Sequence, residues 1–277
     1  MPYDNGLPAD AKQKAAKTYN AAAEHFDTAP VAFWARYGRH TVERLNLQPG
    51  AKVLDIGCGT GASVFPAAEA VGPTGTVVGI DLAEDMIRVG RRHAAERGFD
   101  NVAFQVADMT DLDHPCESFD AVVCVFGIFF VPDMERQVAD LWRLVRPGGK
   151  LAITTWGGDL FEPASTGWWQ VIQRERPDLY APAKPWTRLT DPHELRHLLA
   201  SGGVTGAKIV KEDGHHELHQ PEDWWAIVLG SGLQWTLLHM DEAEVARVRA
   251  ANIAWVRDNG VKKVDTGVLY AVATKPV

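Results

Sequence analysis

The chain has 277 residues, 46% of them hydrophobic and 23% charged, with a formal net charge of −8. That is enough apolar material for one large α/β domain with an elaborated cap, or for two small domains. The acidic balance disfavours a nucleic-acid partner, because such binding rests on Lys and Arg neutralising phosphates.

The longest apolar stretch, residues 121–132, falls well short of the roughly 20 residues a membrane helix needs, so no integral membrane segment is expected. The N-terminus lacks a secretory pattern. Cys58, Cys116 and Cys124 show no metal-ligand spacing, which predicts reduced thiols, no metal and a cytoplasmic location.

In chain order, residues 1–46 are helix-prone, with Tyr19, Ala22 and Phe26 at helical spacing, then Phe33, Trp34 and Tyr37. Residues 53–56 form an apolar run broken by Asp55. Gly57, Gly59 and Gly61 alternate through the turn that follows, ahead of a helix-forming segment at 62–70. Such glycines allow close backbone approach, and the helix start offers unpaired N–H groups to an anionic ligand. The pattern predicts a buried strand, a tight turn and a helix opening onto a ligand.

Further strands are predicted at 76–81, ending in Asp81; at 102–106, followed by Asp108 and Met109; and at 119–126, ending in Phe126. Asp133 is placed to cap a helix carrying Val138, Leu141, Trp142 and Val145. Residues 146–149, Arg-Pro-Gly-Gly, predict a turn before a strand at 151–155. Asp191-Pro192-His193-Glu194 combines an N-cap, an N1 proline and a capping-box acid. Strands follow at 204–211 and 267–273. Two helices are predicted between them over 221–258, the second opening at the Asp241-x-x-Glu244 box. The alternation over 52–155 predicts a parallel sheet covered on both faces.

Two ligands satisfy the glycine pattern. Gly57-x-Gly59-x-x-Ala62 meets the dinucleotide fingerprint in its G-x-G-x-x-A form. Asp55 argues the other way, being repulsive beside a pyrophosphate and favourable beside an ammonium group. Asp81 can accept from both ribose hydroxyls in either class.

The run Asp55-Ile56-Gly57-Cys58-Gly59-Thr60-Gly61 resembles the first motif, D-x-G-x-G-x-G, of class I S-adenosylmethionine-dependent methyltransferases. Asp81, Asp108 and the Arg-Pro-Gly-Gly turn follow in that family's order. Phe129-Phe130-Val131-Pro132-Asp133 narrows the resemblance to the ubiquinone/menaquinone-biosynthesis type of small-molecule methyltransferase, over about residues 40–157.

The resemblance implies a Rossmann-like, doubly wound α/β fold with a mostly parallel seven-stranded sheet and an antiparallel last strand. It also implies a helical N-terminal lid (residues 1–46) and a methyltransferase domain (47–277) with cap insertions at about 157–190 and 221–258. S-adenosylmethionine is the implied cofactor, held by Asp55, Gly57, Cys58, Gly59, Asp81, Leu82, Asp108, Met109 and Phe126, with Asp108 on the adenine amino group. Trp34, Phe129, Phe130 and Trp156 are candidate walls for the acceptor, because lid and strand-end positions face the crevice in this topology.

The expected reaction is in-line methyl transfer to a small, hydrophobic or aromatic acceptor, with O-, C- and N-methylation open. An NAD(P)-dependent oxidoreductase and a non-catalytic adenosylmethionine-binding protein are the alternatives. A protonated acceptor would need a general base. His25 and the His215-His216 pair are candidates, and no catalytic residue is assigned. The oligomeric state is open, a homodimer included.

Overall fold

The computed structural model describes residues 11–181 and 184–277. Residues 1–10 of the expected lid and 182–183 of the first expected insertion lie outside the described residues. Helices α1 (Ala11–Ala22) and α2 (Phe33–Leu45), linked through short 3-10 turns at Ala23–His25 and Ala29–Val31, precede the sheet. The first half of the sheet region comprises β1 (Lys52–Ile56), α3 (Val64–Val71), β2 (Thr76–Asp81), α4 (Glu84–Arg97), β3 (Val102–Val106), β4 (Phe119–Val125), α5 (Met134–Leu144) and β5 (Val145–Trp156). Then come α6 (Ala164–Glu175), α7 (Pro192–Ser201), β6 (Lys208–Glu212), β7 (His215–Glu217), α8 (Glu222–Leu229), α9 (Gln234–Leu237), α10 (Glu242–Asp258), β8 (Lys263–Asp265) and β9 (Val268–Thr274).

Seven strands form one sheet in the order β3-β2-β1-β4-β5-β9-β6. β1 to β5 pair in parallel, and β9 runs antiparallel between β5 and β6. Its central strands are buried on both faces, as a parallel sheet requires. Leu54, Ile56, Val122, Cys124, Leu151 and Ile153 join the core on one face. Their neighbours Val53, Ala121, Val123 and Ala152 join the core on the other. This is the period-2 alternation of strands serving two cores.

Several local expectations shift. Val145 is extended rather than helical (φ −73°, ψ 129°) and opens β5 by pairing with Phe119. Residues 146–149 then bulge opposite Asp120 before Lys150 pairs with Ala121. The Arg-Pro-Gly-Gly turn is thus a bulge inside β5, with Gly148 at φ 74°. The region 221–258 holds three helices rather than two. β7 and β8 form a separate antiparallel ribbon, whose three-residue strands are too short to leave a periodic signal. All three acidic N-caps are real bonds, Asp133 accepting from Arg136 N (2.8 Å). Asp191 accepts from His193 N (2.7 Å), and Asp241 and Glu244 make the reciprocal capping box on α10.

Strand order reverses between β1 and β4, so their carboxyl ends open a crevice at the topological switch point. α2 lies on the turn at that point. Thr41 Oγ1 bonds Tyr37 O and meets Thr154 Oγ1, each at 2.7 Å, tying α2 to β5. Closer to the crevice, a Cβ on Gly38 would overlap the Ala62 carbonyl just past the glycine turn. Alanine at 38 would gain about 1 kcal/mol of helix propensity. The obstruction, however, is backbone that no rotamer can relieve, and overpacking costs about 1–3 kcal/mol. Gly38→Ala is therefore expected to lower stability on balance, read as an earlier midpoint in urea unfolding.

Candidate functional site

The turn after β1 carries three left-handed glycines, at φ 65° (Gly57), 54° (Gly59) and 110° (Gly61). Gly61 has no room for a side chain, since a Cβ there would press on the rings of Phe65 and Phe104. The turn is held from the neighbouring strand. Asp81, the last residue of β2, accepts from Gly59 N through Oδ2 (2.9 Å) and from Ala83 N through Oδ1 (2.8 Å). Burial pushes this carboxyl up, and the backbone donors pull it part of the way back.

Asp55 lies one layer lower. It is 1% exposed and does not line the cleft. Its Oδ2 accepts from Ser63 Oγ (2.5 Å), while Oδ1 has no hydrogen-bond partner. Burial is the main cause that drives its carboxyl up to about 7; the Ser63 bond opposes this and the Asp81 charge adds to it. Asp55 thus supports the cleft from below through Ser63, which is a lining residue.

At the far side Asp108 Oδ1 accepts from Thr110 N and Thr110 Oγ1 (both 2.9 Å), and its Oδ2 pairs with Lys12 Nζ of α1 (2.8 Å). Although burial acts against it, the Lys12 and Thr110 bonds hold this carboxyl below its ordinary value. Lys12, Ala15, Ala16 and Tyr19 on α1 roof this end of the cleft. The empty space, counted out into the open mouth, is about 970 Å³.

The other end is aromatic. Phe126 is left-handed (φ 56°), a strained state for a bulky residue. β4 therefore stops at Val125, one residue earlier than expected. Phe126 turns its ring onto Trp156, stacked at 3.7 Å and 6°, with Trp34 edge-on at 5.5 Å. Trp34 stacks on Phe26 (4.7 Å) and donates Nε1–H to Gly230 O (3.1 Å).

Of the nine residues assigned to the cofactor, eight line this cleft, Asp55 being the exception. Of the four assigned to the acceptor, Trp34 and Phe130 line it. Phe129 and Trp156 are 1% and 2% exposed and stand behind the wall, Phe129 against Trp186 and Trp156 against Phe126. Sequence reasoning missed Lys12, Tyr19, Phe26, Ser63 and Met86 as lining residues. The helical spacing of Tyr19 and Phe26 was the available signal; a lysine on a helix face gives none.

None of the candidate histidines lines the cleft. His25 and His215 are exposed. His216 meets Phe33 edge-on (5.2 Å) and is held below its ordinary value by burial and then by Arg36. Among the described residues, no group of three or more His, Cys, Asp or Glu side chains could hold a metal ion. No described helix is long and apolar enough to cross a membrane.

This donor set fits a nucleoside carrying a cationic amino acid. Two carboxylates flank the cleft, a third lies beneath it with an unpaired buried oxygen, and the glycine turn leaves room for a ligand to approach the backbone.

Comparison with known proteins agrees. Residues 53–149 match the family described as Methyltransferase domain. The chain is 40% identical over 136 residues to nocamycin O-methyltransferase of Saccharothrix syringae, covering 49% of each chain. It is 33% identical over 144 residues to demethylmenaquinone methyltransferase of Anoxybacillus flavithermus, covering 50% of this chain and 61% of that one. The chain thus spans about half to three fifths of the length of these curated relatives. Among solved structures, a putative methyltransferase from an antibiotic biosynthesis pathway of Anabaena variabilis superposes with a TM-score of 0.61. It is 20% identical, with 86% of this chain and 96% of that one covered, a likeness of fold.

The buried Asp55 makes a pH prediction. The folded chain keeps its proton up to about pH 7, whereas an unfolded aspartate releases it near about 3.9. The folded state binds more protons across that window, so stability falls as pH rises through it. Asp55→Asn keeps an acceptor for Ser63 and has no proton to lose. In urea unfolding of the ligand-free chain, D55N is expected to be more stable than wild type at pH 8, with the gap closing towards pH 4.

Proposed function

Because this chain carries a class I S-adenosylmethionine-dependent methyltransferase domain, we propose that it transfers a methyl group from S-adenosylmethionine to a small hydrophobic or aromatic acceptor. The observation that carries this reading is a single cleft. In it Asp81, Asp108 and the glycine turn stand beside a wall of Tyr19, Phe26, Trp34, Phe126 and Phe130. The cofactor, when bound, supplies an electrophilic methyl on a cationic sulfur that is its own leaving group for in-line displacement.

The chain's part is binding and alignment, which can supply much of the rate of such a reaction. Asp81 accepts the ribose hydroxyls with the lone pairs its backbone donors leave free. Asp108 accepts the adenine amino group beside Lys12, a carboxylate having about four acceptor positions. Residues 11–46 act as the lid. The aromatic faces exclude water and stabilise a nearby cation by about 1 kcal/mol. A hydrophobic, ring-bearing acceptor agrees with this wall and with the name of the demethylmenaquinone-methylating relative. The dinucleotide alternative finds no support in the matched proteins. Three free cysteines are in keeping with a cytoplasmic setting.

The test is calorimetric titration with S-adenosylhomocysteine and, separately, NADH. Binding of the former alone is expected, followed by methyl transfer to quinols or phenols; binding of NADH alone would overturn the reading. Asp81→Ala is expected to weaken S-adenosylhomocysteine by about 1–3 kcal/mol, the cost of leaving polar partners unpaired.

A further inference from the structure

The glycine turn is gripped by two consecutive lid residues, one on each side. Phe26 reaches it from within the cleft, its Cε1 3.7 Å from where a Cβ of Gly59 would stand. Asp27 reaches it from outside, where its Oδ1 accepts from Thr60 Oγ1 at 2.8 Å. Thr60 is 1% exposed and sits between Gly59 and Gly61, which have no side chains to brace the backbone between them. Its hydroxyl is the one oxygen-bearing side chain from Gly57 to Ala62, and the bond to Asp27 joins this stretch to the lid. Asp27 is itself steadied by His93 Nδ1 of α4, 3.5 Å from Oδ2. The peptide from Gly59 to Gly61 is thus positioned by two carboxylates, Asp81 from β2 and Asp27 from the lid.

We propose that Asp27 is a positioning residue for the cofactor: acting through Thr60, it holds the Gly59–Gly61 backbone in its ligand-binding shape and couples that shape to the docked lid. The proposal rests on the reading of this cleft as the S-adenosylmethionine site. Asp27 does not line the cleft, so its effect reaches the ligand through the turn. Flexible glycines give a backbone free to receive a ligand, and the same freedom must be restrained from outside if binding is not to bear the ordering cost.

The test measures S-adenosylhomocysteine affinity by calorimetry, with amide hydrogen exchange over residues 57–62, in wild type, Asp27→Ala, Asp27→Asn, Thr60→Val and the Ala/Val double variant. D27A and T60V are each expected to raise Kd about tenfold, the cost of leaving one partner of a partly buried hydrogen bond unpaired, and to speed exchange in the turn. The double variant should be no worse than either single one, because both remove the same link. D27N, whose amide oxygen accepts the same hydroxyl, should stay near wild type.

Unchanged affinity in D27A, additive losses in the double variant, or a D27N as weak as D27A would each overturn the proposal. Should D27A not fold, T60V with its exchange readout decides the matter alone. A wild-type chain that fails to bind S-adenosylhomocysteine would instead sink the functional reading. The exchange comparison in the ligand-free chain would still test the Asp27–Thr60 brace.

Discussion

The bond from Gly59 N–H to the Asp81 carboxylate is the constraint around which the crevice is built. It joins the end of β1 to the end of β2 across the carboxyl edge of the sheet, where strand pairing has run out. A turn of glycines has little intrinsic preference, so its shape must come from partners. Asp81 provides one by taking two backbone donors onto one carboxylate and still facing the cleft. The cost is the desolvation that burial imposes on an anion, offset by charge-assisted bonds from oriented amides. Above about pH 7, where Asp55 close below also loses its proton, the crevice concentrates negative charge. A cationic ligand relieves that repulsion and a pyrophosphate would add to it.

The aromatic end follows a different logic. Phe126 occupies a backbone state that bulky residues avoid, and it is held there because its ring is trapped between Trp156 and the edges of Trp34 and Tyr37. The strain at one residue is outweighed by packing from α2 and β5. The result is an apolar wall whose inner layer meets the cleft and whose outer layer, Trp156 and Phe129, fixes the position of the inner one. Lys12 and Asp108 close the opposite end with a partly exposed ion pair, a contact worth about 0–1 kcal/mol and so able to open without much resistance.

The polar half of the cleft was largely legible in the sequence, and the aromatic half only in part: Trp34, Phe126 and Phe130 line it, whereas Phe129 and Trp156 do not. Gly57, Gly59, Asp81 and Asp108 sit where strand ends meet turns. There local chemistry alone limits which residue types serve, and their order along the chain mirrors their order in space. Asp55 was legible as an acid near the turn but not as a buried one, because a period-2 strand sends neighbouring residues to opposite faces and only packing decides what covers each. Whether Trp156 or Tyr19 meets the cleft depends on the left-handed Phe126 and on how α1 and the 221–258 helices dock. Those are long-range facts that no local spacing encodes. Val145 fell on the helical stripe of α5, yet its β-branched side chain found a cross-strand partner in Phe119, and tertiary pairing overrode periodicity.

The Trp34 indole bond to Gly230 has a temporal consequence. It spans 196 positions of sequence, so the aromatic wall is not completed until Gly230 has been synthesised. The sheet edge from β1 to β4 lies within the first half and can order earlier. Contacts of such separation are slow to form, since loop-closure entropy must be overcome before they contribute. The glycine turn and Asp81 therefore belong to an early-forming unit. The aromatic wall belongs to a late one, which would also be the first part released when the protein begins to open.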